Sequence, residues 1–131
     1  MKLRYFKYKE FDSPDLPRSG LVCMKKPFLN FIDELRHRCG FPFKVTSGFR
    51  TYDYNQSLIK NPKYKASATS SHLRGIAADI AITDSKKRAL FIGHAIEICH
   101  DWDFPLRIGV GDNFCHIDLD REKNSPRIWV Y

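Results

Sequence analysis

The segment Ile76–Ile82 constrains the fold most, because it is apolar except for a single carboxylate, that of Asp79. A short apolar run of this kind indicates a buried β-strand. A charged carboxylate inside a buried strand costs several kcal/mol of folding free energy unless a partner compensates its charge. A metal ion would do so, and so would an arginine such as Arg50 or Arg74. The strand therefore predicts either a metal site or a buried ion pair at Asp79.

Two histidines are candidates to join this carboxylate. His72 lies at the end of a polar loop that leads into the strand, and His116 lies in a second strand-like segment, Phe114–Asp120. Alternate residues of a strand share a face, so His116 and Asp118 point the same way, whereas Cys115 points to the opposite face. Cys115 is therefore a poor candidate for the same metal. Taken alone, His116 is more simply interpreted as a core histidine with satisfied hydrogen bonds.

Together, His72, Asp79 and His116 supply two imidazoles and one carboxylate. Three protein ligands with an open fourth position are the pattern of catalytic zinc, whereas structural zinc sites are closed. Zinc in an open site acidifies water to a pKa of about 7 and polarises a carbonyl group. Nitrogen and oxygen ligands suit this metal. The three residues are therefore candidates for a catalytic Zn2+ site, and a buried ion pair at Asp79 with a core histidine at position 116 is the alternative.

The rest of the chain predicts a small α+β domain. Helical spacing of apolar residues from Lys26 to Cys39, with Pro27 in the first turn and Gly40 after the last, predicts a helix. The other predicted elements are strands at 43–47, 76–82, 107–110, 114–119 and 127–130, and helices at 53–59 and from 84 or 85 to 102. We expect one domain over residues 1–131, with a mainly antiparallel sheet, helices packed on it and an irregular N-terminal arm at 1–24.

The composition excludes general disorder. Hydrophobic residues make up 43% of the 131 residues, enough for the core of one domain without disulfide staples. The four cysteines form no C-x-x-C pair, so we expect reduced thiols. The N-terminal residues lack the apolar run of a signal peptide, and no segment approaches the roughly 20 apolar residues of a membrane span. The sequence therefore predicts synthesis in the cytoplasm and no transmembrane segment.

The net charge of +7 predicts an anionic partner, such as a bacterial wall polymer, an acidic membrane surface or nucleic acid. The basic residues are spread along the chain, and their densest clusters are Lys25–Lys26 and Lys86–Arg88. No nucleic-acid recognition motif or clustered basic helix accompanies them. Specific nucleic-acid binding is therefore the least favoured interpretation, and no pattern indicates an oligomeric state.

Three segments in combination resemble the zinc D-alanyl-D-alanine carboxypeptidase family, most of all its small single-domain members that bacterial viruses often encode. These segments are Ser47–Thr51, then Ser70–Asp79 with the pattern S-x-H-x-x-G-x-A-x-D, and Phe114–Asp118 with the pattern H-x-D. The resemblance extends over most of the chain, from about residue 28 to 131. It implies that His72, Asp79 and His116 bind zinc.

The resemblance also implies roles around the metal. Arg50 would face the active site, where its guanidinium could bind a substrate carboxylate or stabilise an oxyanion; the alternative is a structural ion pair, for example with Asp79. Several branches of the family have an acidic residue three positions before the last zinc histidine, but here Asn113 occupies that position and cannot act as a general base. Asp118 is the best substitute, or else it orients a zinc histidine. Asp112 is a third candidate for the base.

The activity implied is that of a zinc metallopeptidase, either carboxypeptidase or endopeptidase, which hydrolyses a bond in the stem peptide of peptidoglycan. It would act at the cell wall or periplasm and degrade the host wall in the manner of a bacteriophage endolysin. The alternative is a non-catalytic zinc-containing domain that binds the wall or belongs to a virion, which Asn113 favours. The remaining histidines, His37, His94 and His100, are expected at the surface or in packing.

Overall fold

A five-stranded sheet with two chemically different faces determines the architecture. The computed structural model describes residues 2–131. The helices are α1 (Ser19–Cys23), α2 (Lys26–Cys39), α3 (Tyr52–Lys60) and α4 (Ser85–Trp102), with two short 3-10 helices at Tyr8–Phe11 and Ser71–Arg74. The strands are β1 (Val45–Ser47), β2 (Ala77–Ala81), β3 (Arg107–Val110), β4 (Phe114–Asp118) and β5 (Arg127–Val130). This arrangement confirms the predicted α+β class.

The strand order is β1-β2-β4-β3-β5, and every neighbouring pair is antiparallel except β3 and β5, which run parallel. The register aligns one row of residues across the sheet. This row runs through Ser47, Asp79, His116, Gly109 and Trp129, each paired with the next. The row brings residues far apart in sequence onto neighbouring strands.

The apolar face of the sheet packs on α2 and α4. It presents Ala78 and Ile80 from β2 together with Cys115 and Ile117 from β4, all fully buried. The buried helix residues that meet them in the core are Phe28, Phe31, Ile32, Leu35, Phe91, Ala95 and Ile98. Because alternate strand residues point to opposite faces, burying this set directs Asp79 and His116 to the other face.

The N-terminal segment is less irregular than predicted. It contains the 3-10 helix Tyr8–Phe11 and the short helix α1, and its apolar side chains Leu3, Phe6 and Phe11 join the core. The backbone N–H groups of Arg4 and Tyr5 donate hydrogen bonds to the carboxylate of Asp33 on α2. The segment is therefore packed on the domain, although it has no long helix, as expected from its prolines and glycine.

The other predicted elements agree with the structure to within a residue or two. The helix α2 has the predicted bounds, α4 begins at Ser85, and β2 is one residue shorter than predicted at each end. The strand predicted at 43–47 begins later, at Val45. None of the helices in residues 2–131 is long and apolar enough to cross a lipid bilayer.

The turn at Gly75 joins the 3-10 helix that carries His72 to the strand that carries Asp79. Gly75 has a φ of +70°, in the left-handed region that glycine adopts most readily. A Cβ at this position would overlap the backbone carbonyl of Cys23. The carbonyl oxygen of Gly75 also accepts a hydrogen bond from the backbone N–H of Lys25 at 2.9 Å. Both the backbone conformation and the lack of space for a side chain therefore favour glycine at this position of the S-x-H-x-x-G pattern.

We therefore expect Gly75→Ala to lower the free energy of unfolding by at least about 2 kcal/mol, from left-handed backbone strain and from the overlap with Cys23. The control is Gly93→Ala on α4, where an added Cβ meets nothing within 4 Å. It should raise stability by roughly 0.5–1 kcal/mol, because alanine is the better helix former. Urea unfolding followed by circular dichroism measures both. Equal stability of the two variants would contradict the role given to Gly75.

Candidate metal centre

The structure brings His72, Asp79 and His116 together on the polar face of the sheet. His72 lies in the 3-10 helix Ser71–Arg74, and Ser70 caps this helix by accepting a hydrogen bond from the backbone N–H of His72. Asp79 and His116 are opposite each other in the register of β2 and β4. Local capping and sheet pairing therefore fix all three backbones.

The distances within this triad fit a zinc ion. The Oδ1 atom of Asp79 lies 3.2 Å from Nε2 of His72 and 2.9 Å from Nδ1 of His116. The three donor atoms all lie within 4.8 Å of one another. Ligands of a tetrahedral zinc ion, at about 2.0–2.2 Å from the metal, are roughly 3.3–3.6 Å apart. The triad could therefore hold a zinc ion after small movements of its side chains.

The hydrogen bonds of His72 leave the correct nitrogen free to bind a metal. Its Nδ1 lies 2.7 Å from the backbone carbonyl oxygen of Gly48. A carbonyl oxygen only accepts, so Nδ1 carries the proton and Nε2 directs its lone pair toward Asp79. Burial lowers the pKa of His72 and outweighs the opposing effect of Asp79. His72 is therefore neutral, as a metal ligand has to be.

His116 is held in the complementary way. Its Nε2 lies 2.7 Å from Oδ2 of Asp118, and a carboxylate oxygen is an acceptor, so Nε2 donates and Nδ1 faces Asp79. Burial alone would lower the pKa of His116, but its hydrogen bonds to Asp118 and Asp79 raise it to about 9. The metal-free protein therefore holds His116 protonated between two carboxylates.

Asp118, the predicted candidate for the general base, has both oxygens engaged. One oxygen accepts from His116, and the other accepts from Nε of Arg107 at 2.8 Å and from the backbone N–H of Asp120 at 3.0 Å. The residue is 1% exposed. Burial would raise the pKa of Asp118, but the hydrogen bond from His116 and the other donors lower it. This geometry favours the orienting role over the role of proton acceptor.

Arg50 is the arginine beside Asp79. Its NH2 group lies 3.3 Å from Oδ2 of Asp79, while Nε donates to Oγ of Ser47 at 3.0 Å and NH1 donates to Oδ1 of Asn55 at 3.3 Å. Its side chain is largely buried, and burial lowers its pKa. The other arginine considered for Asp79, Arg74, pairs instead with Asp120 and Glu122. The ion pair of Arg50 with Asp79 is therefore present, and the same guanidinium lines the cleft.

An open cleft of about 990 Å³ surrounds the triad. Three lysines, Lys63, Lys65 and Lys123, line its outer part. Trp129 and Tyr131 line it as well, and burial raises the pKa of Tyr131 to about 12, so its phenol stays protonated at neutral pH. The cleft thus combines cationic and aromatic side chains around the triad.

Two further residues bear on the identity of the general base. Asn113 and Asp112 occupy the turn between β3 and β4, and Asp112 lines the cleft. Its carboxylate has no hydrogen-bond partner among residues 2–131. The three other histidines are not among the residues that line the cleft. His37 and His100 are exposed, and His94 lies near Glu97 on α4.

Sequence reasoning missed three contributors to the site. Arg107 holds Asp118 and lies with its guanidinium 5.0 Å from the ring centre of Trp129. The available signal for Arg107 was its place at the start of an otherwise apolar strand. Trp129 and Tyr131 reach the site only because β5 pairs with β3, and no local pattern indicates that pairing.

The sequence of the chain matches the model of the Peptidase M15 family over residues 4–118. The chain belongs to the Peptidase M15 family. This confirms the predicted relationship to the zinc D-alanyl-D-alanine carboxypeptidases. Peptidases of this family are zinc enzymes, and the histidine and aspartate cluster could hold such a metal.

Comparison with solved structures supports the same fold. The chain resembles the L-Ala D-Glu endopeptidase ChiX of Serratia marcescens with a TM-score of 0.62 at 15% sequence identity, over 78% of this chain and 84% of that one. No curated protein matches the chain in sequence. At this identity the resemblance to ChiX concerns the fold.

The protonation states of the two histidines predict how zinc binding depends on pH. Near pH 6.5, binding of Zn2+ should release about one proton, from His116, because His72 is already neutral. The apparent affinity should rise about tenfold per pH unit until the pH approaches the pKa of His116. Isothermal titration calorimetry in buffers of different ionisation enthalpy measures the proton count. Binding without proton release would contradict the charged state assigned to His116.

Proposed function

We propose that the chain is a zinc-dependent peptidase that hydrolyses a peptide bond in the stem peptides of bacterial peptidoglycan. One observation carries the proposal. Each histidine of the triad has one ring nitrogen facing Asp79 and donates a hydrogen bond from its other ring nitrogen. The acceptor is the Gly48 carbonyl for His72 and the Asp118 carboxylate for His116. Outer hydrogen bonds of this kind fix the tautomer and orientation of zinc-binding histidines.

Bound at His72, Asp79 and His116, zinc would supply a Lewis acid that polarises the scissile carbonyl and acidifies water. The chain itself contributes Arg50 at the same place. An arginine side chain has five N–H donors, and three of those of Arg50 go to Ser47, Asn55 and Asp79. Two donors remain on this guanidinium, which lines the cleft, and they can stabilise negative charge on the reacting carbonyl oxygen or bind a substrate carboxylate.

Asp118 and Arg107 act on the reaction through His116. Asp118 fixes the Nε2–H tautomer of His116, and Arg107 fixes Asp118 in turn. The carboxylates that line the cleft in residues 2–131 are those of Asp79, Asp112 and Asp118. Asp79 and Asp118 are engaged with the histidines and arginines, so Asp112 is the one whose oxygens are free to accept a proton.

The charge of the cleft supports a stem-peptide substrate. Lys63, Lys65 and Lys123 line the cleft together with Arg50. Stem peptides carry free carboxylates, and a cleft with more basic than acidic side chains in its lining attracts ligands of negative charge. Membership of the Peptidase M15 family and the fold shared with an L-Ala D-Glu endopeptidase support the same substrate class. Both a carboxypeptidase and an endopeptidase specificity are compatible with an open cleft.

A non-catalytic zinc domain that binds the wall is the second candidate function. Asn113 favours it, because this residue replaces the acidic residue that several branches of the family have three positions before the last zinc histidine.

The resemblance to small enzymes of bacterial viruses supports a biological role in degrading the host wall during infection. In that role the protein would be made in the cytoplasm and act at the wall or in the periplasm.

Digestion of purified sacculi separates an enzyme from a binding domain. The zinc-loaded protein should release soluble peptides, lose this activity on chelation and regain it with Zn2+. His72→Ala should abolish release, whereas His94→Ala, which removes a histidine outside the cleft, should retain it. A zinc-loaded protein that binds sacculi of every stem-peptide type and releases nothing would favour the binding domain instead.

Two aspartate variants separate orientation of His116 from acceptance of a proton. Asp118→Asn should weaken zinc binding about 10- to 100-fold, because it removes the charged acceptor of His116. Asp112→Asn should leave zinc binding unchanged and lower kcat about 10²- to 10⁴-fold if its carboxylate accepts the proton. Competition with a zinc-binding dye and steady-state kinetics measure the two effects. Normal zinc affinity in Asp118→Asn would contradict the orienting role.

A further inference from the structure

Strand β5 forms one wall of the cleft and lies outside the match to the family model, which ends at Asp118. Two of its features are relevant. It pairs in parallel with β3, unlike every other neighbouring pair of the sheet. It also places Trp129, and Tyr131 two residues later, on the face of the sheet that carries the triad.

The aromatic rings stand directly beside the metal ligands. The ring centre of Trp129 lies 5.7 Å from that of His116, and Tyr131 packs on Phe114 with ring centres 5.1 Å apart. The rings of Trp129 and Tyr131 contact each other edge to face, with their centres 6.2 Å apart. Tyr131 is still 41% exposed, and Trp129 is partly exposed. An apolar surface at the triad is therefore available to a ligand in the cleft.

Gly109 on β3 makes this arrangement possible. It pairs in register with both His116 and Trp129. A Cβ on Gly109 would lie 2.7 Å from ring atoms of both Trp129 and Tyr131. The rings of Trp129 and Tyr131 thus lie directly over the backbone of Gly109, where there is no side chain. Any other residue at position 109 would push them away from the sheet.

We propose that Trp129 and Tyr131 form the subsite that binds the methyl group of an alanine adjacent to the scissile bond. The inference rests on the proposed function, from which it takes the stem peptide as substrate. Both bonds considered for this chain, D-Ala–D-Ala and L-Ala–D-Glu, have an alanine next to the cleaved amide. An aromatic surface attracts a methyl group by removing apolar area from water, while the lysines on the rim of the cleft attract the carboxylates of the same peptide.

The kinetic test compares stem peptides that have alanine or glycine at each position flanking the scissile bond. The zinc-loaded enzyme should prefer alanine at one of these positions about four- to tenfold in kcat/KM, the contribution of one methyl group at a half-open apolar site. Tyr131→Ala and Gly109→Ala should reduce this preference to less than about twofold, mainly through KM. The matched control, Tyr52→Ala, removes an exposed tyrosine outside the cleft and should retain the preference.

A binding measurement distinguishes failure of the subsite from failure of the peptidase. The chain has two tryptophans, so Trp102→Phe leaves Trp129 as the only one. Stopped-flow fluorescence of this zinc-loaded variant should show a saturable change on mixing with the alanine peptide before turnover. The glycine peptide should need a roughly four- to tenfold higher concentration.

The possible outcomes are distinct. Alanine-selective binding without cleavage would support the subsite and overturn the peptidase. Cleavage with equal rates for alanine and glycine peptides, or an undiminished alanine preference in Tyr131→Ala and Gly109→Ala, would overturn the subsite alone. If neither binding nor cleavage is observed, both proposals fail. Zinc content is measured in each variant, because Trp129 contacts His116 and a shift of its ring could act through the metal.

Discussion

The buried carboxylate of Asp79 is the interaction on which the rest of the site depends. It lies in the middle of an apolar strand, where an uncompensated charge would cost several kcal/mol. Its partners, His72, His116 and Arg50, come from three other parts of the chain. Burial would raise the pKa of Asp79, but the hydrogen bond from His116 and its positive charge lower it below its ordinary range. The same charge that the fold has to compensate makes Asp79 a ready metal ligand.

The two faces of the sheet have different roles: one forms the core and the other carries the candidate site. One face is apolar and packs on α2 and α4, which fixes the register of the central strands. That register in turn fixes the row of Asp79, His116 and Gly109 on the opposite face. Sites built on paired strands hold their geometry more closely than sites on loops. The members of the site that lie outside the strands are held in place by hydrogen bonds, such as the one that His72 donates to the backbone carbonyl of Gly48.

Local patterns in the sequence were sufficient for most of the elements and, together with the family resemblance, for naming His72, Asp79 and His116 as candidate metal ligands, but not for the outer parts of the site. The apolar stripe of α2 and the alternation around His116 are properties of neighbouring residues, so their structures could be predicted. Partners that meet through long-range pairing could not. The contact of Arg107 with Asp118 requires β3 beside β4, and the aromatic wall requires β5 beside β3. Whether Asp118 accepts a proton or orients His116 also depended on hydrogen-bond donors, above all Arg107, that local patterns do not place beside it.

Anomalous X-ray diffraction at the zinc absorption edge, from crystals of the zinc-loaded protein, tests the metal centre most directly. A single strong peak should lie within bonding distance of Nε2 of His72, Oδ1 of Asp79 and Nδ1 of His116, with the ring of His116 still hydrogen-bonded to Asp118. A peak bound elsewhere on the chain, or none at these three atoms in the presence of excess zinc, would contradict the assignment of this cluster as a catalytic metal site.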